Sequence, residues 1–305
     1  MIKITDLRLT FEGRKSKSEA LKGIDLEIPE GTIFGFIGSN GAGKSTLMRT
    51  VCGIYRPDSG SVTIDGREVY DDPKAKEQIF FVSDDTAQFA GFTLKEIERF
   101  YKSCYKNFSE ETFESLTKRL ELPEDQRLAQ FSKGMKRQAI ACAALACNTK
   151  YVLLDEAFDG LDPAMRKLIR QMVVDNIFDR GATIIVSSHN ITEIGEICDR
   201  AMLLHKGEVV FSSDVDDVRE HFEKVQIAHA TGEYSRSQLE QTGVDVRNFK
   251  TVGKVATAIV KGEKEDITSK LSTLSPVLLE LVPMTLEEIF IYEMEVRGYA
   301  VGDNE

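Results

Sequence analysis

Nine consecutive residues, Gly38-Ser39-Asn40-Gly41-Ala42-Gly43-Lys44-Ser45-Thr46, match the spacing G-x-x-x-x-G-K-[ST]. Glycines at this spacing let backbone N–H groups converge on an anion, and a helix opening behind them adds its positive end. Lys44 has the charge and reach to meet outer phosphates, and the Ser45 hydroxyl is a ligand type suited to Mg²⁺. The chemistry indicated is nucleoside-triphosphate binding. The motif alone says nothing finer.

A second constellation supplies what hydrolysis would need. Val152-Leu153-Leu154 is an apolar run that ends in Asp155-Glu156. Two carboxylates at a buried strand end are costly to desolvate, and a nearby Mg²⁺ removes that objection. Asp155 is expected to hold the ion through water, and Glu156 to polarise the attacking water as general base. Without the phosphate loop, two acids capping the next helix would be an equal reading. His189 follows Ser187-Ser188 just past a strand end. Lys133, Lys136 and Arg137 gather where an apolar helix starts, so charge and N–H donors would converge there.

The elements that must position these groups are legible from periodicity. Ile2–Phe11 and Leu21–Ile28 alternate as half-buried antiparallel strands do. Ile33–Ile37 is a continuous apolar run suited to a sheet covered on both faces. Ser61–Ile64 and Arg67–Val69 flank an Asp65-Gly66 turn and read as a hairpin. Across 93–146 the period becomes helical: Leu94, Ile97, Phe100, Tyr101 and Cys104, then Phe113, Leu116 and Leu120. An apolar helix is expected at 137–147. Strands return at Tyr151–Leu154 and Thr183–Ser187, each followed by a helix, which implies a parallel sheet. Met202–Leu204 and Glu208–Phe211 form a closing hairpin.

Past residue 217 the texture changes. Strand 225–230, helix 236–242, strands 245–250 and 253–260, helix 264–274, strand 277–282 and a helix from Thr285 follow the β-α-β-β-α-β order of a ferredoxin-like module. The expected organisation is an α/β P-loop NTPase domain over 1–217, with an antiparallel β subdomain and a helical subdomain at about 86–147. A small α+β domain occupies 218–305.

Composition restricts the partners. The chain has 305 residues and a net charge of −11, which disfavours nucleic acid and anionic lipid. Five scattered cysteines read as reduced core thiols of a cytoplasmic protein. The first residues carry neither a signal-peptide core nor a myristoylation glycine. The longest apolar stretches, such as Ala139–Cys147, fall short of a membrane span.

Four further elements fall in an order that resembles the ABC ATPase family over roughly residues 1–215. Phe131-Ser132-Lys133-Gly134-Met135 resembles the family signature, and Ala157-Phe158-Asp159-Gly160-Leu161-Asp162 the D-loop. Ser187-Ser188-His189 is similar to the switch-histidine loop, and Phe11 matches the aromatic that stacks on adenine. The resemblance implies two cassettes packed head to tail, with ATP between one phosphate loop and the partner's signature. Ser132 and the Gly134 N–H would then bind the γ-phosphate in trans, His189 would contact it in cis, and Leu161 and Asp162 would link the two sites. It also implies a separate transmembrane permease subunit, with this chain peripheral on the inner face of the membrane.

Two departures stand out. Lys133 and Met135 replace the usual Gly and Gln of the signature, a form similar to that of bacterial ABC-2-type exporters of drugs, lipids or peptides. Asp84 aligns with the family's Q-loop Gln, where it could ligate Mg²⁺ directly; Gln88 is the alternative. Three functions compete: an ATPase driving transport, as homodimer or heterodimer; a catalytically asymmetric half of a heterodimer; and a soluble non-transport ABC ATPase. The last is disfavoured by one phosphate loop, one signature and no sustained heptads between them.

Overall fold

The computed structural model describes residues 1–13, 17–83, 89–156, 163–215 and 222–296. Its contacts divide into two compact units, Met1–Ser212 and Ser213–Glu305.

The first unit carries two sheets. In the antiparallel sheet, β1 (Ile2–Glu12) lies between β2 (Lys17–Ile28) and β4 (Ser59–Ile64), and β5 (Arg67–Glu68) closes the hairpin on β4. The second sheet has six strands. They are β3 (Ile33–Ile37), β6 (Ile79–Val82), β7 (Tyr151–Asp155), β8 (Thr183–Ser188), β9 (Arg200–His205) and β10 (Glu208–Asp214). They run in the order β10-β9-β3-β8-β7-β6, and the β9-β3-β8-β7-β6 pairings are parallel. All five residues of β3 and of β7 are buried, as strands covered on both faces must be. Helix α1 (Lys44–Val51) buries Leu47, Met48 and Val51 in the core cluster that joins the two sheets.

Short α2 (Pro73–Lys76) precedes β6, and the helical block follows it as α3 (Leu94–Cys104), α4 (Glu110–Arg119) and α5 (Lys133–Ala146). Thr93 and Glu96 form a capping box that starts α3. Helix α5 begins four residues earlier than its apolar pattern indicates. The Ser132 hydroxyl accepts from the Met135 N–H and starts the helix inside the signature. Helices α6 (Pro163–Arg180) and α7 (Ile191–Ile197) complete the unit. Among the described residues no helix is long and apolar enough to cross a membrane. Four cysteines are buried, but Cys104, expected in the core, is exposed at the end of α3.

The second unit runs β11 (Phe222–Ala228), α8 (Arg236–Gln241), β12 (Asp245–Val252), β13 (Val255–Lys261), α9 (Lys264–Ser272), β14 (Leu278–Pro283) and α10 (Leu286–Val296). The four strands lie in the order β12-β13-β11-β14 with antiparallel pairings, a split β-α-β arrangement. Val225, Ile227, Ala256, Ala258 and Val260 alternate onto one face, where Leu239 of α8 and Ile267 and Leu271 of α9 cover them.

Candidate functional site

Three strand ends meet at one edge of the parallel sheet. The register sets Ile37 opposite Ser188, and Asp155 opposite Ser187. The chain leaving β3 at Gly38 therefore passes the acids that end β7 and the serines that end β8. Sites in parallel sheets form at this carboxyl edge.

The phosphate loop is shaped by its glycines. A Cβ on Gly38 would stand 2.3 Å from the Leu204 carbonyl oxygen of neighbouring β9. Gly43 has φ +111° and closes the loop onto α1, where a Cβ would meet the Ala20 carbonyl at 2.8 Å. Lys44 is buried, and its ammonium donates to the Gly38 carbonyl at 2.7 Å and lies 3.6 Å from Glu156 Oε1. The charge is thus held over the loop, facing a carboxylate.

Asp155 is completely buried. Its Oδ1 accepts from Ser187 Oγ at 2.6 Å and from Ser45 Oγ at 3.1 Å, while Oδ2 has no hydrogen-bond partner. A buried carboxylate oxygen without a donor is costly unless a cation or water satisfies it. The orphaned oxygen beside the Ser45 hydroxyl is a hard-oxygen donor set fitting a divalent cation such as Mg²⁺. Among the described residues no group of three or more His, Cys, Asp or Glu could hold a metal ion. Further ligands would be phosphate oxygens and water. Burial, with the Asp155 charge as a second cause, pushes the Cys52 thiol pKa up and keeps that sulfur protonated.

Glu156 adopts φ +47°, a left-handed conformation costly for a residue with a Cβ. Its N–H donates to Ser187 Oγ at 2.9 Å. His189 Nδ1 lies 4.0 Å from Glu156 Oε1, with half of its side chain exposed. Lys44, Ser45, Asp155, Glu156 and His189 are therefore brought together.

A cavity of about 540 Å³ opens over Asn40–Thr46, lined also by Phe11, Lys22, Glu156 and Lys206. Phe11 is 40% exposed and packs edge-to-face on Tyr55, with ring centroids 5.4 Å apart. Ser132 and Gly134, at the start of α5, do not line this cavity. Asp84 and Gln88, and the segment 157–162 with Leu161 and Asp162, lie outside the described residues. Sequence reasoning gave no role to Lys22 and Lys206. Lys206 stands in the hairpin turn before Gly207, whose N–H donates to the Ala42 carbonyl at 2.9 Å and ties the turn to the loop.

A strand-delivered phosphate loop facing a buried Asp155 and the adjoining Glu156 defines the class, a P-loop nucleoside triphosphatase. Comparison with known proteins makes the class particular. The ABC transporter family model matches residues 21–159. The chain is 30% identical over 297 residues to the ABC transporter ATP-binding protein YtrB of Bacillus subtilis (strain 168), covering 95% of this chain and 97% of that one. It is 32% identical over 252 residues to the methionine import ATP-binding protein MetN 1 of Burkholderia pseudomallei (strain 1710b), covering 73% and 68%. A solved dimeric, post-hydrolysis ATP-binding cassette bound to ADP and Pi superposes with a TM-score of 0.63 at 25% identity, covering 70% of this chain and 99% of that one. This chain belongs to the ABC transporter ATP-binding proteins. It is an ATPase and the ATP-binding subunit of an ABC transporter.

Proposed function

We propose that this chain drives an exporter by dimerising on ATP beneath a separate transmembrane subunit. The observation that carries this reading is the separation of the site's parts. Lys44, Ser45, Asp155, Glu156 and His189 converge at one sheet edge, while Ser132 and Gly134 do not line the phosphate cavity. A second cassette, identical or related, would bring its Ser132 and Gly134 to the γ-phosphate. Phe11 would stack on the adenine. Intact Lys44, Asp155, Glu156 and His189 favour a site that is competent in this chain itself.

Within that reading each side chain has a task. The loop N–H groups and Lys44 bind the phosphates. Ser45 and Asp155 would hold Mg²⁺, which supplies charge neutralisation on the phosphate oxygens when bound. Glu156 accepts the proton of the attacking water, and His189 orients that water against the terminal phosphate. A groove of about 460 Å³, lined by Phe100, Tyr101, Cys104, Tyr105, Pro73 and Lys76, suits a short helix of the membrane subunit. Such docking would hold this chain at the inner face of the membrane. Export rather than import rests on the Ser132-Lys133-Gly134-Met135 form of the signature.

Sedimentation of Glu156→Gln protein with and without Mg·ATP tests the dimer. ATP should produce a dimer, and adding Ser132→Arg should return it to monomer. A monomer under all conditions, even with the co-purified membrane subunit, overturns the reading. Transport in vesicles carrying that subunit tests the direction.

A further inference from the structure

Glu193 is 4% exposed and lies in the first turn of α7, beyond the residues that face the phosphates. A carboxylate so buried needs donors. It has two: Arg166 of α6 at 2.5 Å on Oε1, and the Ser188 hydroxyl at 3.1 Å on Oε2. The same Ser188 oxygen accepts from the Asn190 N–H at 2.9 Å, and the Asn190 side chain accepts from the Thr192 and Glu193 N–H groups. His189 stands between these two anchored residues. On its other side Ser187 is bonded to Asp155 and to the Glu156 N–H. The histidine backbone is therefore clamped from both directions, although the ring itself is half exposed.

We propose that Glu193 is a positioning residue for ATP hydrolysis. Its carboxylate fixes Ser188, and through Ser188 the place of the His189 ring. Its ion pair with Arg166 ties that setting to α6, the helix that begins directly after 157–162. The inference rests on the reading of His189 as the residue that meets the terminal phosphate. A purely structural brace is the competing account, and it needs only the ion pair. Positioning needs the Ser188 hydrogen bond as well, and this difference makes the two separable.

The test is single-turnover ATP hydrolysis by the full chain, with ATP affinity and melting temperature measured on the same samples. Ser188→Ala removes the hydroxyl, and with it both the link to Glu193 and the acceptor of the Asn190 N–H, while sparing the ion pair of Glu193 with Arg166. It should slow hydrolysis about tenfold or more, within the range a small misplacement of a catalytic group costs, and leave ATP affinity unchanged. Glu193→Gln can still accept from Ser188 through its one amide oxygen, but its NH2 then faces the Arg166 guanidinium. It should lower the melting temperature yet stay within about fivefold of the wild-type rate, the scale of one neutral hydrogen bond. The reversed pair, Arg166→Glu with Glu193→Arg, should recover melting temperature but not rate, because arginine cannot accept the Ser188 proton. Ser188→Ala combined with His189→Ala should be no slower than His189→Ala alone, since the two act through one group. Recovery of rate by the reversed pair, or a wild-type rate for Ser188→Ala beside an inactive His189→Ala, overturns the proposal and leaves the His189 reading standing. A wild-type rate for His189→Ala removes that reading itself.

Discussion

The Glu156 N–H donates to the Ser187 hydroxyl at 2.9 Å, and this bond holds the glutamate at φ +47°. The same hydroxyl donates to Asp155 Oδ1 at 2.6 Å. One fully buried serine therefore sets both acids at the end of β7. A left-handed non-glycine residue costs about 1–2 kcal/mol, and the strain is sustained where surrounding bonds over-determine it. Here it directs a carboxylate toward Lys44 and His189.

Ser187→Ala should accordingly impair both stability and turnover. The Glu156 N–H loses its acceptor and the buried Asp155 Oδ1 loses the nearer of its two donors, which costs about 1–3 kcal/mol. With its N–H no longer held, Glu156 can relax toward ordinary φ, and kcat should fall at least about tenfold, the cost of a small displacement of the base. Urea melts and steady-state ATPase assays check the two effects separately. Unchanged kcat at reduced stability would show that the strain has no catalytic use.

Glu156→Gln keeps the side chain's shape and its N–H bond but removes the proton acceptor. Hydrolysis should slow roughly a hundredfold or more, the scale of general-base catalysis. That corresponds to about 2.7 kcal/mol of barrier. ATP affinity should hold or rise, because the negative charge 3.6 Å from Lys44 is gone. Wild-type turnover in this variant would take Glu156 out of the role of base.

The phosphate loop was legible because its chemistry is contiguous in the chain, and the Asp155-Glu156 pair because a strand rarely ends in two acids. Ser187 lies 32 residues from Asp155, and only the parallel register of β7 on β8 brings them together. Its serine pair was visible, yet its partners depend on pairing that periodicity does not encode. The left-handed φ of Glu156 likewise has no local signal, since glutamate does not favour it. The apolar pattern of α5 starts only at 137 because Lys133, Gly134 and Lys136 hide a start that Ser132 caps. Cys104 follows the apolar rhythm of α3, but the stripe overshoots what is covered there, and Phe100 is also 42% exposed. In the second unit, alternation placed every element within about three residues, because one face of that sheet is consistently apolar.

Two of the loop's three glycines, Gly38 and Gly41, should respond differently to alanine. At Gly38 a Cβ would lie 2.3 Å from a backbone oxygen of β9, so Gly38→Ala forces the central strands apart. Loss of soluble, folded protein is the expected outcome, or a loss of several kcal/mol, as overpacking against backbone gives. At Gly41 nothing lies within 4 Å, but φ is +80°, so Gly41→Ala pays only conformational strain of about 1–2 kcal/mol. Thermal melts of the two variants decide it. Equal losses would mean that the β9 contact gives way easily.

The second unit offers a pH test. Burial acts to raise the Glu288 pKa, but the Lys224 ammonium at 2.7 Å and the Thr285 N–H at 3.0 Å outweigh it and hold the carboxyl below its ordinary value. A lowered folded pKa stabilises above the unfolded carboxylate pKa, near 4.3. That stability is lost as pH falls through the folded value. Glu288 and Thr285 also cap α10 reciprocally, and Gln at 288 can keep this exchange. Glu288→Gln therefore removes the ion pair while sparing the cap. Because the pair is 29% and 37% exposed, the expected loss near neutral pH is modest, about 0.2–1 kcal/mol. The difference from wild type should vanish in melts below the lowered pKa, and should shrink with added salt at neutral pH. A difference that persists at acid pH would assign the effect to the cap rather than the charge.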